Sequence, residues 1–184
     1  VWIKRCLDIG AAGVVVPQVQ STEDAERVVQ LCKYPPLGSR SVGIARAQGY
    51  GMDFLDYIAR ANDELAVVLQ IEHIKAVENI ELIARIPGID AFFVGPYDLS
   101  GSMGKTGKID DPEVREAILR VTSCALEAGI SLGIFGISAE SVKPYIAKGY
   151  KLVAVGVDTM LLASTAKQVL SSLRRHRSGR EVYI

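Results

Sequence analysis

The feature that most constrains this chain is an alternation of short apolar β runs with helical patterns. It is clearest over residues 67–102, VVLQIEHIKAVENIELIARIPGIDAFFVGPYDLSGS. Ala66–Ile71 and Ala91–Val94 read as strands, and the residues between them as one amphipathic helix. Strand, helix, strand is the parallel crossover pattern. Similar runs at 13–18, 130–135 and 152–157 bring the predicted strands to five, all apolar enough to be covered on both faces. Helical patterns are predicted at 2–9, 21–33, 53–61, 112–128, 139–148 and 159–173. Ser21, Asp111 and Ser138 serve as N-caps and Gly129 as a stop. Residues 34–51 and 100–110 read as loops.

Five parallel strands suit either a doubly wound sheet or part of a barrel. No GxGxxG follows the first strand, so a dinucleotide fold has no support. A (β/α)8 barrel takes eight strands and typically about 250 residues. The expected fold is therefore α/β, a TIM (β/α)8-type barrel of which this chain holds about five βα units. Residues 1–173 would form the C-terminal part of the barrel domain, and 174–184 a loose polar tail. On this reading three strands are missing ahead of Val1, which already lies inside a helical pattern.

Lys+Arg and Asp+Glu are both 21, a balance that gives no footprint for nucleic acid or an anionic membrane. No apolar run approaches the ~20 residues of a membrane span. Val1–Gly10, which carries Lys4, Arg5 and Asp8, does not read as a signal peptide. Cys6, Cys32 and Cys124 are isolated on apolar helix faces, without zinc or disulfide spacing. They read as buried free thiols of a cytoplasmic protein.

Chemistry in parallel α/β folds collects at the carboxyl ends of strands. Alternation places Val68, Gln70 and Glu72 on one face, and Asp98 follows the next strand behind Gly95 and Pro96. Two carboxylates without His or Cys suit a hard divalent cation. The alternative is that Glu72 caps a helix and Asp98 a turn. GSMGKTG at 101–107 fails as a phosphate loop, because Leu99 stands where a glycine is needed. His73 faces away from Glu72 and reads as a helix-start residue, so neither it nor His176 is placed as a base. Arg40 and Arg46 either bind an anionic substrate or solvate their loop.

At Gln70-Ile71-Glu72 and Gly95-Pro96-Tyr97-Asp98-Leu99-Ser100 the chain resembles the HpcH/HpaI aldolase family, the metal-dependent pyruvate aldolases. The resemblance extends through Leu7–Gly10, Val16-Pro17, Tyr34-Pro35-Pro36 with Gly38 and Arg40, and Val153–Asp158. It implies that Glu72 and Asp98 ligate Mg²⁺, Mn²⁺ or Co²⁺, and that a pyruvate enolate on that metal adds to an aldehyde or arises by cleavage of a 4-hydroxy-2-oxo acid. Gln70 would hydrogen-bond pyruvate, the backbone of Tyr97 would hold its carboxylate, and Pro96 would be a further substrate-binding residue. Tyr97 replaces a small residue of some relatives, which a backbone contact tolerates. Asp8 matches an acid that supports a catalytic histidine, and the segment carrying that histidine is not in this chain. The resemblance further implies a homo-oligomer, trimer or hexamer. The rival readings are an acyl-CoA lyase of the citrate-lyase β type and a catalytically incomplete fragment lacking the base.

Overall fold

A computed structural model describes residues 2–178, with side-chain environments through Arg174. The chain runs α1 (Trp2–Asp8), β1 (Gly13–Val16), α2 (Thr22–Cys32), a 3-10 segment (Arg46–Gly51), α3 (Phe54–Glu64) and β2 (Ala66–Ile71). It continues with α4 (Ile74–Glu78), α5 (Ile80–Ile83), β3 (Ala91–Val94), α6 (Pro96–Ser102), α7 (Pro112–Ala128) and β4 (Ser131–Gly136). α8 (Ala139–Ile146), β5 (Leu152–Val155) and α9 (Asp158–Ser178) complete it.

The five strands form one parallel sheet in the order β1-β2-β3-β4-β5. Spatial order equals chain order, so every right-handed crossover lands on the same face. A doubly wound sheet needs a reversal of strand order, and none occurs among the described residues. The result is a curled half-barrel, the arrangement of a partial TIM-type barrel.

Register separates the two faces. Val67, Leu69, Ile71, Phe92 and Val94 are fully buried, with Leu132 and Ile134 at 1% exposure, on the helix-covered side. On the other side Val68 and Ala91 are buried in the middle of the curl, whereas Val15 and Leu152 on the edge strands are 48% and 43% exposed. The expectation that all strands are covered on both faces thus holds for the central strands only; curvature, not a second helix layer, shelters their concave side.

Local sequence sets the helix ends. Ser21 and Asp24 form a reciprocal capping box at α2, which buries Ala25, Val28, Val29 and Cys32. α7 starts at Asp111 with Pro112 in its first turn and stops at Gly129 in a left-handed conformation. The helix predicted as continuous between β2 and β3 is broken at Asn79, whose side-chain amide donates to the Lys75 carbonyl. Residues 96–102 are helical, because Pro96 presets the first turn of α6 where a loop was expected only from Ser100 on. α9 continues to Ser178, beyond the predicted end at 173, and residues 179–184 of the expected tail lie outside the described ones. Cys32 is buried and Cys124 half-buried, but Cys6 is exposed, because it lies on the outer side of α1 while Leu7 turns inward. Among the described residues no helix is long and apolar enough to cross a membrane.

Candidate metal and substrate site

Glu72 lies one residue beyond β2 and is 4% exposed, an unusual burial for a carboxylate. Its partners are all neutral. The backbone N–H of Gln18 donates to Oε1 at 2.9 Å and the Gln18 side-chain amide to the same oxygen at 3.0 Å. The Gln70 amide donates to Oε2. No lysine or arginine among the described residues forms an ion pair with it.

Gln18 is the residue that sequence reasoning missed. Its φ of 61° is left-handed, an uncommon conformation for a residue other than glycine, and this turn aims its N–H at Glu72. The signal was available: β1 pairs with β2 as Val16↔Leu69, and counting on two residues brings Gln18 level with the end of β2.

Asp98 sits in the first turn of α6, exposed, with no side-chain partner among the described residues. Three contacts tie its segment to that of Glu72. The Gly95 N–H donates to the Ile71 carbonyl at 3.1 Å, extending the β2–β3 ladder. The Ile74 N–H donates to Ser102 Oγ at 2.9 Å. Gly95 itself lies against the site: a Cβ there would stand 3.1 Å from Glu72 Cβ, 3.2 Å from Gln70 Nε2 and 3.4 Å from Glu72 Oε2. Oε2 is therefore the Glu72 oxygen turned toward the β3–α6 turn. Tyr97 and Asp98 occupy the first turn of α6, where backbone N–H groups lack intrahelical acceptors. Pro96, buried, supplies no N–H and fixes the turn. The Tyr97 ring meets Phe135 edge-on at 6.5 Å, at the mouth of a groove lined also by Ile109, Arg115 and Tyr145.

The structure thus brings Gln70, Glu72 and Gly95 together and places Pro96, Tyr97 and Asp98 on the turn that follows Gly95. The donor set fits a hard dication: carboxylate oxygens, no thiolate or imidazole, and a buried acid without a cation. No cluster of three or more His, Cys, Asp or Glu exists among the described residues, so the protein would supply two ligands and leave the rest to substrate and water.

Asp8 belongs to a separate centre. Its Oδ1 accepts from Arg40 at 2.9 Å and its Oδ2 from Lys4. Arg40 is 2% exposed, its guanidinium 4.5 Å from the Tyr34 ring and 5.6 Å from that of Tyr57, whose hydroxyl accepts from both terminal nitrogens. Burial raises the pKa of the Asp8 carboxyl, but hydrogen bonds from Arg40 and Lys4 outweigh it and hold the group below its ordinary range. Neither reading of Arg40 survives: its side chain is fully buried and its two terminal nitrogens are committed to Asp8 and Tyr57, while its buried Nε has no partner among the described residues. Arg46 is exposed at the start of the 3-10 segment. His73 caps α4, its Nδ1 accepting from the Lys75 N–H at 3.1 Å. Lys105 of the rejected phosphate loop is tied to Asp111 at 2.6 Å and Glu113 at 2.9 Å.

Comparison with known proteins gives a consistent result. The sequence model of the HpcH/HpaI aldolase/citrate lyase family matches residues 1–165. A hydroxypyruvate/pyruvate aldolase of Paraburkholderia phytofirmans is 38% identical over 94% of this chain and 68% of its own length. A 4-hydroxy-2-oxo-heptane-1,7-dioate aldolase of Shigella flexneri is 40% identical over 91% of this chain and 63% of its own length. The chain thus spans about two thirds of the length of these curated relatives. The crystal structure of an HpcH/HpaI aldolase/citrate lyase family protein from Burkholderia cenocepacia superposes with a TM-score of 0.90 at 37% identity, over 94% of this chain and 68% of that one. With the half-barrel, the Gln70–Glu72 strand end and the α6 turn all in place, the chain belongs to the HpcH/HpaI aldolase/citrate lyase family.

Proposed function

We propose that this chain carries the metal and pyruvate half-site of an aldolase that makes or cleaves 4-hydroxy-2-oxo acids. The observation that supports it most is Glu72, buried, flanked only by neutral N–H donors and turned toward Gly95 at the start of the β3–α6 turn. Glu72 and Asp98 would hold Mg²⁺, Mn²⁺ or Co²⁺. Such an ion supplies Lewis-acid stabilisation of the charge that develops as the pyruvate methyl group loses a proton. Gln70 uses one amide hydrogen on Glu72 and keeps a second for a substrate oxygen. The first-turn N–H groups of α6 at Tyr97 and Asp98 face an incoming carboxylate. Aldolase names among relatives at 38–40% identity favour an aldehyde acceptor over an acyl-CoA ester.

One observation favours a second reading, a half-site that binds without turnover. No described histidine accompanies the acids: His73 is a helix cap, and Asp8 is held by Arg40 and Lys4. Both readings share the metal site. A homo-oligomer, trimer or hexamer, belongs to the same proposal.

Mn²⁺ titration followed by electron paramagnetic resonance, with and without pyruvate, tests the shared site. Binding that tightens with pyruvate and is lost in Asp98→Ala is expected; a folded parent that binds no Mn²⁺ would overturn the proposal. Release of pyruvate from a 4-hydroxy-2-oxo acid then separates turnover from binding alone.

A further inference from the structure

We infer that Gln18 is a positioning residue that makes Glu72 a one-oxygen metal ligand, and that the site thereby discriminates against Ca²⁺. The inference rests on the metal-site reading above and extends it to a residue outside the ligand set. An ionised carboxylate offers about four lone-pair positions, two on each oxygen. Gln18 fills both positions on Oε1, one with its backbone N–H at 2.9 Å and one with its side-chain amide at 3.0 Å. Gln70 fills one position on Oε2. One position remains, on the oxygen that faces Gly95 and the turn leading to Asp98.

A carboxylate so occupied binds a cation through Oε2 alone. That geometry suits small octahedral ions, which take one oxygen from each of one or two carboxylates and keep the other places for substrate and water. Ca²⁺ takes six to eight oxygens and often grips a carboxylate through both, which the two Gln18 donors block. The left-handed turn at Gln18 is what permits double donation: it directs main chain and side chain to one acceptor. The backbone donor survives any substitution at 18 except proline; the amide donor does not. Gln18 touches neither substrate nor metal on this account and acts only through Glu72.

The test is Ca²⁺ competition against bound Mn²⁺, read by electron paramagnetic resonance, in the parent, Gln18→Met and Gln18→Asn. Methionine keeps the length and removes the donor. Asparagine tolerates the left-handed backbone well and withdraws the amide by one methylene, so it decides the matter if the methionine variant does not fold. The ratio of Ca²⁺ to Mn²⁺ dissociation constants is expected to fall about tenfold in either variant, the lower end of what outer-sphere partners of metal ligands contribute. A ratio within twofold of the parent, in a variant whose circular dichroism is unchanged, would overturn the inference. The two levels separate cleanly: Mn²⁺ binding abolished by Asp98→Ala but a ratio indifferent to residue 18 sinks only the role of Gln18. A parent without Mn²⁺ binding sinks the metal site and this role together.

Discussion

Two carboxylates are largely withdrawn from water in this half-barrel, and their surroundings differ in kind. Asp8 is met by two cations, Arg40 and Lys4, and Arg40 is itself sandwiched by tyrosine rings and fully enclosed. Glu72, more deeply buried as a residue, is met by three N–H donors and no cation. The first centre meets its carboxylate with cations from the chain itself and joins α1 to the loop before the 3-10 segment. The second is hydrogen-bonded but uncompensated. Its three N–H donors satisfy the carboxylate oxygens without bringing a counter-charge, and on the proposed function a dication would supply it. On that proposal, the dication would give the chain its reason to keep Glu72 there.

Breaking the closed centre has the largest expected effect. Arg40→Ala strands the Asp8 charge against Lys4 alone and empties the space between Tyr34 and Tyr57, so a loss of about 3–5 kcal/mol is expected in urea unfolding. A loss below about 1 kcal/mol would mean the pair is not structural. Gly95→Ala comes next, because its Cβ would meet Glu72 Cβ at 3.1 Å in a turn that cannot yield freely. Overpacking of about 1–3 kcal/mol is expected, together with weakened Mn²⁺ binding. Stability lost without a change in Mn²⁺ affinity would dissociate the turn from the site.

The centres should also respond differently to acid. The Asp8 carboxyl titrates below its ordinary 3.8 in the folded protein, so its contribution is fully present above that pH. It is lost as pH falls from there through the depressed folded value, where the unfolded chain binds the proton first. Asp8→Asn is expected to be less stable than the parent at pH 6, and the gap is expected to narrow as pH falls below 3.8 toward the depressed folded value. A gap that widens as pH falls below 3.8 would contradict the sign. The smallest effect belongs to Asp98: exposed and unpartnered, it is expected to leave stability within about 0.5 kcal/mol as Asp98→Asn while Mn²⁺ binding is lost.

Much of this was legible in the sequence, and the reasons are physical. Apolar runs and their spacing located all five strands, and Ser21, Asp111, Ser138 and Gly129 marked helix ends by local chemistry that acts within a few residues. Glu72 and Asp98 stood out as acids at the ends of neighbouring strands, a placement that capping would also explain and that the QIE and GPYDLS stretches resolved only by resemblance. What escaped depended on distant partners. Arg40 looks like a loop cation until Asp8, 32 positions away, and two tyrosines enclose it. Gln18 looks like a polar residue after a strand until its left-handed turn and the β1–β2 register bring it to Glu72, 54 positions on. Even the α6 helix, signalled by Pro96, was obscured by the glycines and serines that follow it.

The central claim is that Glu72, unlike Asp8, is a carboxylate awaiting a cation. Urea unfolding with and without Mn²⁺, in the parent, Glu72→Gln and Asp8→Asn, tests it most directly. Ligand binding to the folded state alone stabilises by about 2.7 kcal/mol at a hundredfold excess over the dissociation constant. The account predicts that increment in the parent and in Asp8→Asn, and its disappearance in Glu72→Gln. An equal increment in Glu72→Gln, or none in the parent, would contradict it.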